Sequence, residues 1–305
     1  VKLYLGKFFG GASKYIEIIL FNATLLVYGA LAGIFLSTIF GGYAFFWTLA
    51  FFAISSSVLF FESIEQIGFI NFVLTLPLIL ATLLISFLAY GAGDLGNLNF
   101  YGEDPFFVFG VLMFALAGFS AIPDAMEVFS DSQQKFKMKS VIWLGTAIPL
   151  VLYIIFIVSV LLVVDGRVSE DAISSLKNVL GGGVLVLGAI IGFLAVFTSY
   201  LVLAYDLKRI YELDVGISKT SALLSAAILP ALIFIFGFTD LIKTISIIGG
   251  LFIALDGFFV LLILRKIRKN GLSRFKFLPF GPVHQFLLLL IFTASIIYEV
   301  VYQIF

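Results

Sequence analysis

Ionisable and hydroxyl side chains are scarce in this chain, so each one inside an apolar stretch is a candidate for chemistry. Of 305 residues only 12% are charged and 62% are apolar, cysteine is absent and His284 is the single histidine. Thiolate metal sites are thereby excluded, and a single histidine argues against histidine metal clusters and histidine-based triads. Carboxylates, hydroxyls and amides remain, the groups that bind ions and small polar molecules inside membranes. Asp124, Glu127 and Asp131 recur at i, i+3 and i+7 and share one helical face. Asp256 lies about 22 Å along a helix starting at Leu241, deep in an apolar run; it could carry a proton or be held by a neighbouring hydroxyl. Thr198 and Ser199 pair their hydroxyls beside a stripe of small residues, Gly188, Gly192 and Ala195. Those hydroxyls suit either a ligand or the carbonyl one turn back in their own helix. Asn22 and Tyr28 are candidates to line a polar cavity or to join helices. Glu17 and Glu299 are expected at membrane interfaces, as is His284, to which no chemistry is assigned.

The elements that must position these residues are membrane helices. Apolar runs of about 18 residues or more cross hydrocarbon. Nine such runs are expected, near 14–40, 43–61, 66–92, 105–129, 139–164, 179–204, 220–238, 241–264 and 284–304. None alternates in the manner of a membrane barrel, so the class is an all-α polytopic membrane protein with the lipid bilayer as its solvent. Eighteen basic residues balance eighteen acidic ones, which offers no field for nucleic acid. Of the basic residues, Arg167, Lys177 and Lys243 fall on one side of the nine-span arrangement and the other fifteen on the opposite side. Basic loops stay cytoplasmic, so the amino-terminal end is expected inside and the carboxy-terminal end outside a cell membrane. Long loops and Pro- or Ser-rich linkers are absent, and 1–305 reads as one integral domain. The chain opens at Val1, and a missing amino-terminal piece is expected.

The fourth run carries Ala117-Gly118-Phe119-Ser120-Ala121-Ile122-Pro123 in its interior. Proline removes a donor and disfavours helix just before it. Eleven residues from Phe106 to Leu116 rise roughly 16 Å, half of a 30 Å core, so the interruption falls near the midplane. Two readings follow: a proline kink whose acids complement the dipole of the next half-helix, or a discontinuous helix lining a polar cavity, as in secondary transporters.

Three strings, Gly91-Ala92-Gly93-Asp94, Tyr205-Asp206 and Pro230-Ala231-Leu232, are spelled like those of intramembrane aspartyl proteases. Their order is wrong, and the nine-span arrangement puts Asp94 and Asp206 at opposite faces, roughly 30 Å apart. Two aspartates that share a proton must be in contact.

The run Phe114 to Pro123 resembles the sixth transmembrane helix of aromatic and hydroxy amino-acid permeases of the amino acid–polyamine–organocation superfamily. Gly145-Thr146-Ala147-Ile148-Pro149-Leu150-Val151-Leu152-Tyr153 is similar to the opening of their seventh helix, and Phe197-Thr198-Ser199-Tyr200-Leu201 to a run in their eighth. The resemblance implies a leucine-transporter-like fold of two inverted five-helix repeats, with the nine runs standing for helices three to eleven and the first two missing. It implies a permease or symporter of a small amino acid, with sodium or a proton as the coupling ion, and no enzymatic activity. On the same basis Ala117, Gly118, Phe119, Ser120 and Ala121 would face substrate, and Thr198 and Ser199 would match the sodium-binding hydroxyls of sodium-coupled members. A channel would need a continuous polar lining, and neither a charge ring nor a carbonyl-filter sequence occurs. A helical scaffold without transport would leave the midplane break unexplained.

Overall fold

The computed structural model describes residues 1–58, 64–98, 105–118, 122, 125–126, 135–166, 168–169, 171–237, 240–269 and 281–304. Among them every regular element is helical. The main helices are α1 (Lys7–Phe40), α2 (Ala44–Val58), α3 (Ile64–Ala92), α4 (Pro105–Ala115), α5 (Lys135–Val163), α6 (Ile173–Leu180), α7 (Gly182–Ile210), α8 (Lys219–Ile235), α9 (Leu241–Ile247), α10 (Ala254–Lys269) and α11 (Pro282–Tyr298). Wide π turns continue three of them: Tyr211–Val215 after α7, Ile248–Ile253 between α9 and α10, and Glu299–Ile304 after α11.

Six stretches are long and apolar enough to cross a membrane: Lys7–Phe40, Phe72–Ala92, Met138–Val163, Gly182–Val215, Leu241–Lys269 and Pro282–Val301. Phe72–Ala92 has a mean hydropathy of 2.5 yet is only 17% buried by the protein itself. Apolar surface on that scale needs a lipid solvent, so this is an all-α membrane protein. The other three expected runs are represented by shorter helices within the described residues. α2 has 15 residues, α4 has 11 and α8 has 17. The sixth run also starts differently: Gly181, at φ 83, donates its N–H to the Lys177 carbonyl and separates the short α6 from α7. α7 then runs to Ile210, six residues beyond the expected end.

The chain gathers into two compact units, each assembled from distant segments. The first comprises Val1–Val27, Glu103–Ala115 and Leu203–Phe305; the second comprises Tyr28–Gly102 and Leu116–Val202. α1 and α7 therefore contribute to both.

In the second unit, glycines set the spacing. Gly29 and Gly33, one turn apart on α1, face the Phe52 ring and the Thr48 hydroxyl of α2. Gly192 of α7 lies under the Phe35 ring, and Gly188 against Ile173 of α6. Phe51 meets Phe193, Phe197 and Tyr200 of α7 edge-on, with centroids 6.1, 6.3 and 5.0 Å away, a geometry that suits the ring quadrupoles. A second core holds Ile85 and Ala89 of α3, Val160 and Val163 of α5, and Leu176 of α6.

Candidate functional site

In the first unit α4 starts at Pro105, where a missing N–H costs nothing, and stops at Ala115. Leu116 turns, and Ala117 and Gly118 are non-helical; the Gly118 N–H bonds to the Leu116 carbonyl at 2.8 Å, a tight turn that no helix makes. The helix thus ends inside an apolar stretch, at the residue where the small run begins. Ala117 is half-buried and Gly118 exposed, and no described atom lies within 4 Å of where a side chain on Gly118 would start. Phe119, Ser120, Ala121, Pro123, Asp124, Glu127 and Asp131 lie outside the described residues.

The hydroxyl pair on α7 divides its work. Thr198 donates to the Ala195 carbonyl of its own helix at 3.1 Å, the internal bonding available to any helical threonine. Ser199 hydrogen-bonds to Tyr28 of α1. Tyr28 and Phe35 are seven residues apart on α1, and their partners Ser199 and Gly192 are seven apart on α7, in opposite order. The two helices therefore run antiparallel with the small stripe of α7 as the seam. A candidate substrate contact and a candidate ion ligand thus meet each other.

Asn22 is 3% exposed and belongs to the first unit. Its Nδ2 donates to the Ile18 carbonyl at 2.7 Å and to the Tyr211 hydroxyl at 3.2 Å, while its Oδ1 has no hydrogen-bond partner among the described residues. Asn22 and Tyr28, six residues apart on one helix, point to different faces. Asp256 is buried at the start of α10; its Oδ2 also lacks a hydrogen-bond partner among the described residues, and Glu17 of α1 is the carboxylate whose charge it feels. At the same end of the unit the Lys14 ammonium donates to the Asp214 carbonyl at 3.2 Å.

The constellation that the spacing did not foretell centres on Glu299. This carboxylate is 0% exposed, enclosed by the protein itself. It packs among α4, the Gly249-Gly250 π turn and α11. The Ser246 hydroxyl donates to its Oε1 at 2.7 Å, and Ser295 donates to the Gly250 carbonyl at 2.9 Å. A Cβ on Gly110 would lie 2.6 Å from the Ser246 carbonyl oxygen, 2.8 Å from its hydroxyl and 3.1 Å from Glu299 Oε1. One on Gly250 would lie 2.6 Å from Glu299 Cγ, and one on Gly249 would strike the Gly110 carbonyl itself. Glycines on two helices thus make room for one acid. The available signal was a Glu inside the run 284–304, facing a serine and paired glycines in the run 241–264.

Asp94 has a local task. Its Oδ1 accepts the Gly96 N–H at 2.8 Å, its own N–H bonds to the Leu162 carbonyl at 2.9 Å, and Asn97 bonds to that same carbonyl at 2.9 Å. An open, almost wholly apolar cavity of about 620 Å³ between α3 and α5 is lined by Leu83, Phe87, Tyr90, Ile154 and Val158, with Ser86 and Ser159 also on its wall. It offers no charge to either end of an amino acid. No protein-family model matches the chain, and neither does any curated protein sequence.

Proposed function

We propose that this membrane protein is a secondary active transporter with a leucine-transporter-like fold, taking up a small amino acid with an aromatic or apolar side chain together with sodium or a proton. The observation that carries the reading is the termination of α4 at Ala115, followed by non-helical Ala117 and Gly118 within an apolar stretch. Backbone released from a helix at membrane depth must be buried in protein or line a cavity, and its unpaired N–H and C=O groups are suited to the charged ends of an amino acid. In this reading Ala117 to Ala121 contact substrate, Phe119 is its principal side-chain contact, and Asn22, Tyr28, Thr198, Ser199 and Asp256 take polar and ionic roles in transport. The amino-terminal end faces the cytoplasm and the carboxy-terminal end the outside. Transport proceeds by alternating access: substrate and ion together favour the conformational switch that either alone does not, so coupling is a difference in affinity between facing states.

Uptake of labelled amino acids by the full-length protein in proteoliposomes, under separate sodium and proton gradients, tests this. Accumulation driven by one of the gradients is expected; accumulation under neither would end the symport reading. Gly118→Leu sharpens the assignment, because the described structure leaves the space beside Gly118 open. Membrane insertion is expected to persist while uptake is lost, and normal uptake would remove this segment from the site.

A further inference from the structure

A carboxyl group enclosed by three helices, one of which ends in the broken segment, is built differently from the polar groups that merely join helices. Glu299 is fully buried; its Oε1 accepts from Ser246, and the absence of side chains at Gly110 and Gly250 is what admits it. Any larger residue at either glycine would overlap the acid or its partner, so the close approach of α4 and the presence of the carboxyl depend on each other. Among the described residues, the helical segments that Glu299 packs between carry few ionisable side chains. α4 carries no titratable side chain; Leu241–Ile253 carries only Lys243, which is exposed; α11 carries His284, exposed fifteen residues before Glu299, and Tyr298, its neighbour in sequence. Beyond the π turn the next acid is Asp256, and Tyr302 lies on the turn that Glu299 begins. In such surroundings the energies of carboxylate and carboxylic acid differ greatly, so gain or loss of one proton is felt by the packing around it.

We propose that Glu299 is the binding site for the coupling proton, and that it senses the position of α4 through Gly110. The inference rests on the transporter reading for its physiological meaning. The step is a plain proton transfer: water on the loading side gives up a proton, an O–H bond forms on the Glu299 carboxylate, and the proton returns to water on the other side when α4 has moved. Ser246 positions the carboxyl by donating to Oε1. Because α4 ends at Ala115, it can shift as a short rigid piece without bending a continuous helix, and its backbone at Gly110 is what the carboxyl meets. Asp256 is the alternative proton carrier in the same unit, but none of its described contacts is with α4.

The test compares wild type, Glu299→Gln, Ser246→Ala and Asp256→Asn as full-length proteins in proteoliposomes. An inward proton gradient is expected to stimulate amino-acid uptake in the wild type, and the stimulation should fall by roughly tenfold or more in Glu299→Gln. Stimulation that survives in Glu299→Gln, or that is lost only in Asp256→Asn, overturns the assignment. A wild type that moves no amino acid would instead defeat the transporter reading, and the proton site is then judged by infrared difference spectra over a pH titration. A carboxylic C=O band present in the wild type and missing from Glu299→Gln supports it; a band unchanged by that substitution overturns it. Should Glu299→Gln fail to fold, Ser246→Ala keeps the carboxyl and removes its donor. Its band should then titrate at a different pH, and an unmoved midpoint overturns the proposal.

Discussion

Some of the most tightly packed glycines of the two units admit different neighbours. In the second, glycines on α1 and α7 receive aromatic rings: Gly29 takes Phe52 and Gly192 takes Phe35. In the first, glycines meet backbone and a buried acid: Gly249 faces the Gly110 carbonyl, and Gly250 faces Glu299. A ring tip can swing aside at modest cost, whereas a backbone carbonyl moves only if its helix moves. The same contrast holds for polar groups. In the second unit Thr198 and Ser199 spend their hydroxyls on a bond within a helix and a bond across one seam, while the first encloses the ionisable or amide groups of Glu299, Asn22 and Asp256. One region is a packed aromatic scaffold, and the other stores costly polar groups, which membrane proteins retain where ions or substrates act.

The contrast can be broken most forcefully at the glycines. Gly249→Ala is expected to destabilise the protein by about 3 kcal/mol or more, or to prevent folding, whereas Gly192→Ala should cost no more than about 1–2 kcal/mol because the Phe35 ring can yield. Thermal unfolding of both in detergent decides; equal losses would erase the distinction between the units. Next comes the removal of single hydroxyls. Ser246→Ala deprives a buried carboxylate of a donor and should cost about 1–3 kcal/mol, against about 0.5–1.5 kcal/mol for Tyr28→Phe, which gives up its bond to Ser199. The reverse order would place the heavier polar burden in the second unit. Thr198→Val should change stability by less than about 0.5 kcal/mol, since only a bond within its own helix is lost. If sodium drives uptake, the same variant separates the two roles of Thr198: a weakened sodium response marks a ligand, and an unchanged one leaves the hydroxyl to the helix. Smallest of all, Lys14→Gln loses one exposed contact with the Asp214 carbonyl and should stay within about 0.5 kcal/mol of the wild type in the same unfolding assay.

Composition and run length made the class legible, because a helix that crosses hydrocarbon has little freedom in length or polarity. The end of α4 was legible too: Gly118 and Pro123 oppose helix, and the described helix stops at Ala115, just before that run. The short lengths of α2 and α8 were not, since apolar residues that flank a helix look the same as those inside it. Gly188 and Gly192 read correctly as a seam, but sequence leaves undecided what fills a seam, and Phe35 and Ile173 come from distant segments. The enclosure of Glu299 was not legible for a related reason: it depends on Gly110, Ser246 and Gly250, up to 189 residues away in sequence. The π turns left only Gly249-Gly250 as a trace, because a wide turn is selected by what packs on it more than by local preference.

The division of the first unit between the two ends of the chain has a consequence for synthesis. Val1–Val27 leaves the ribosome well before the segment that completes its unit, which starts only at Leu203. At about 5–20 residues per second, the Asn22 amide waits on the order of ten to forty seconds before Tyr211 exists to receive it. Glu299 acquires its enclosure later still, because Gly110, Ser246 and Gly250 all precede it in the chain. The membrane-insertion machinery and any holding chaperone thus meet this protein with a closable second unit and an open first one, and quality control has a natural signal to read: an acid that has not yet been covered.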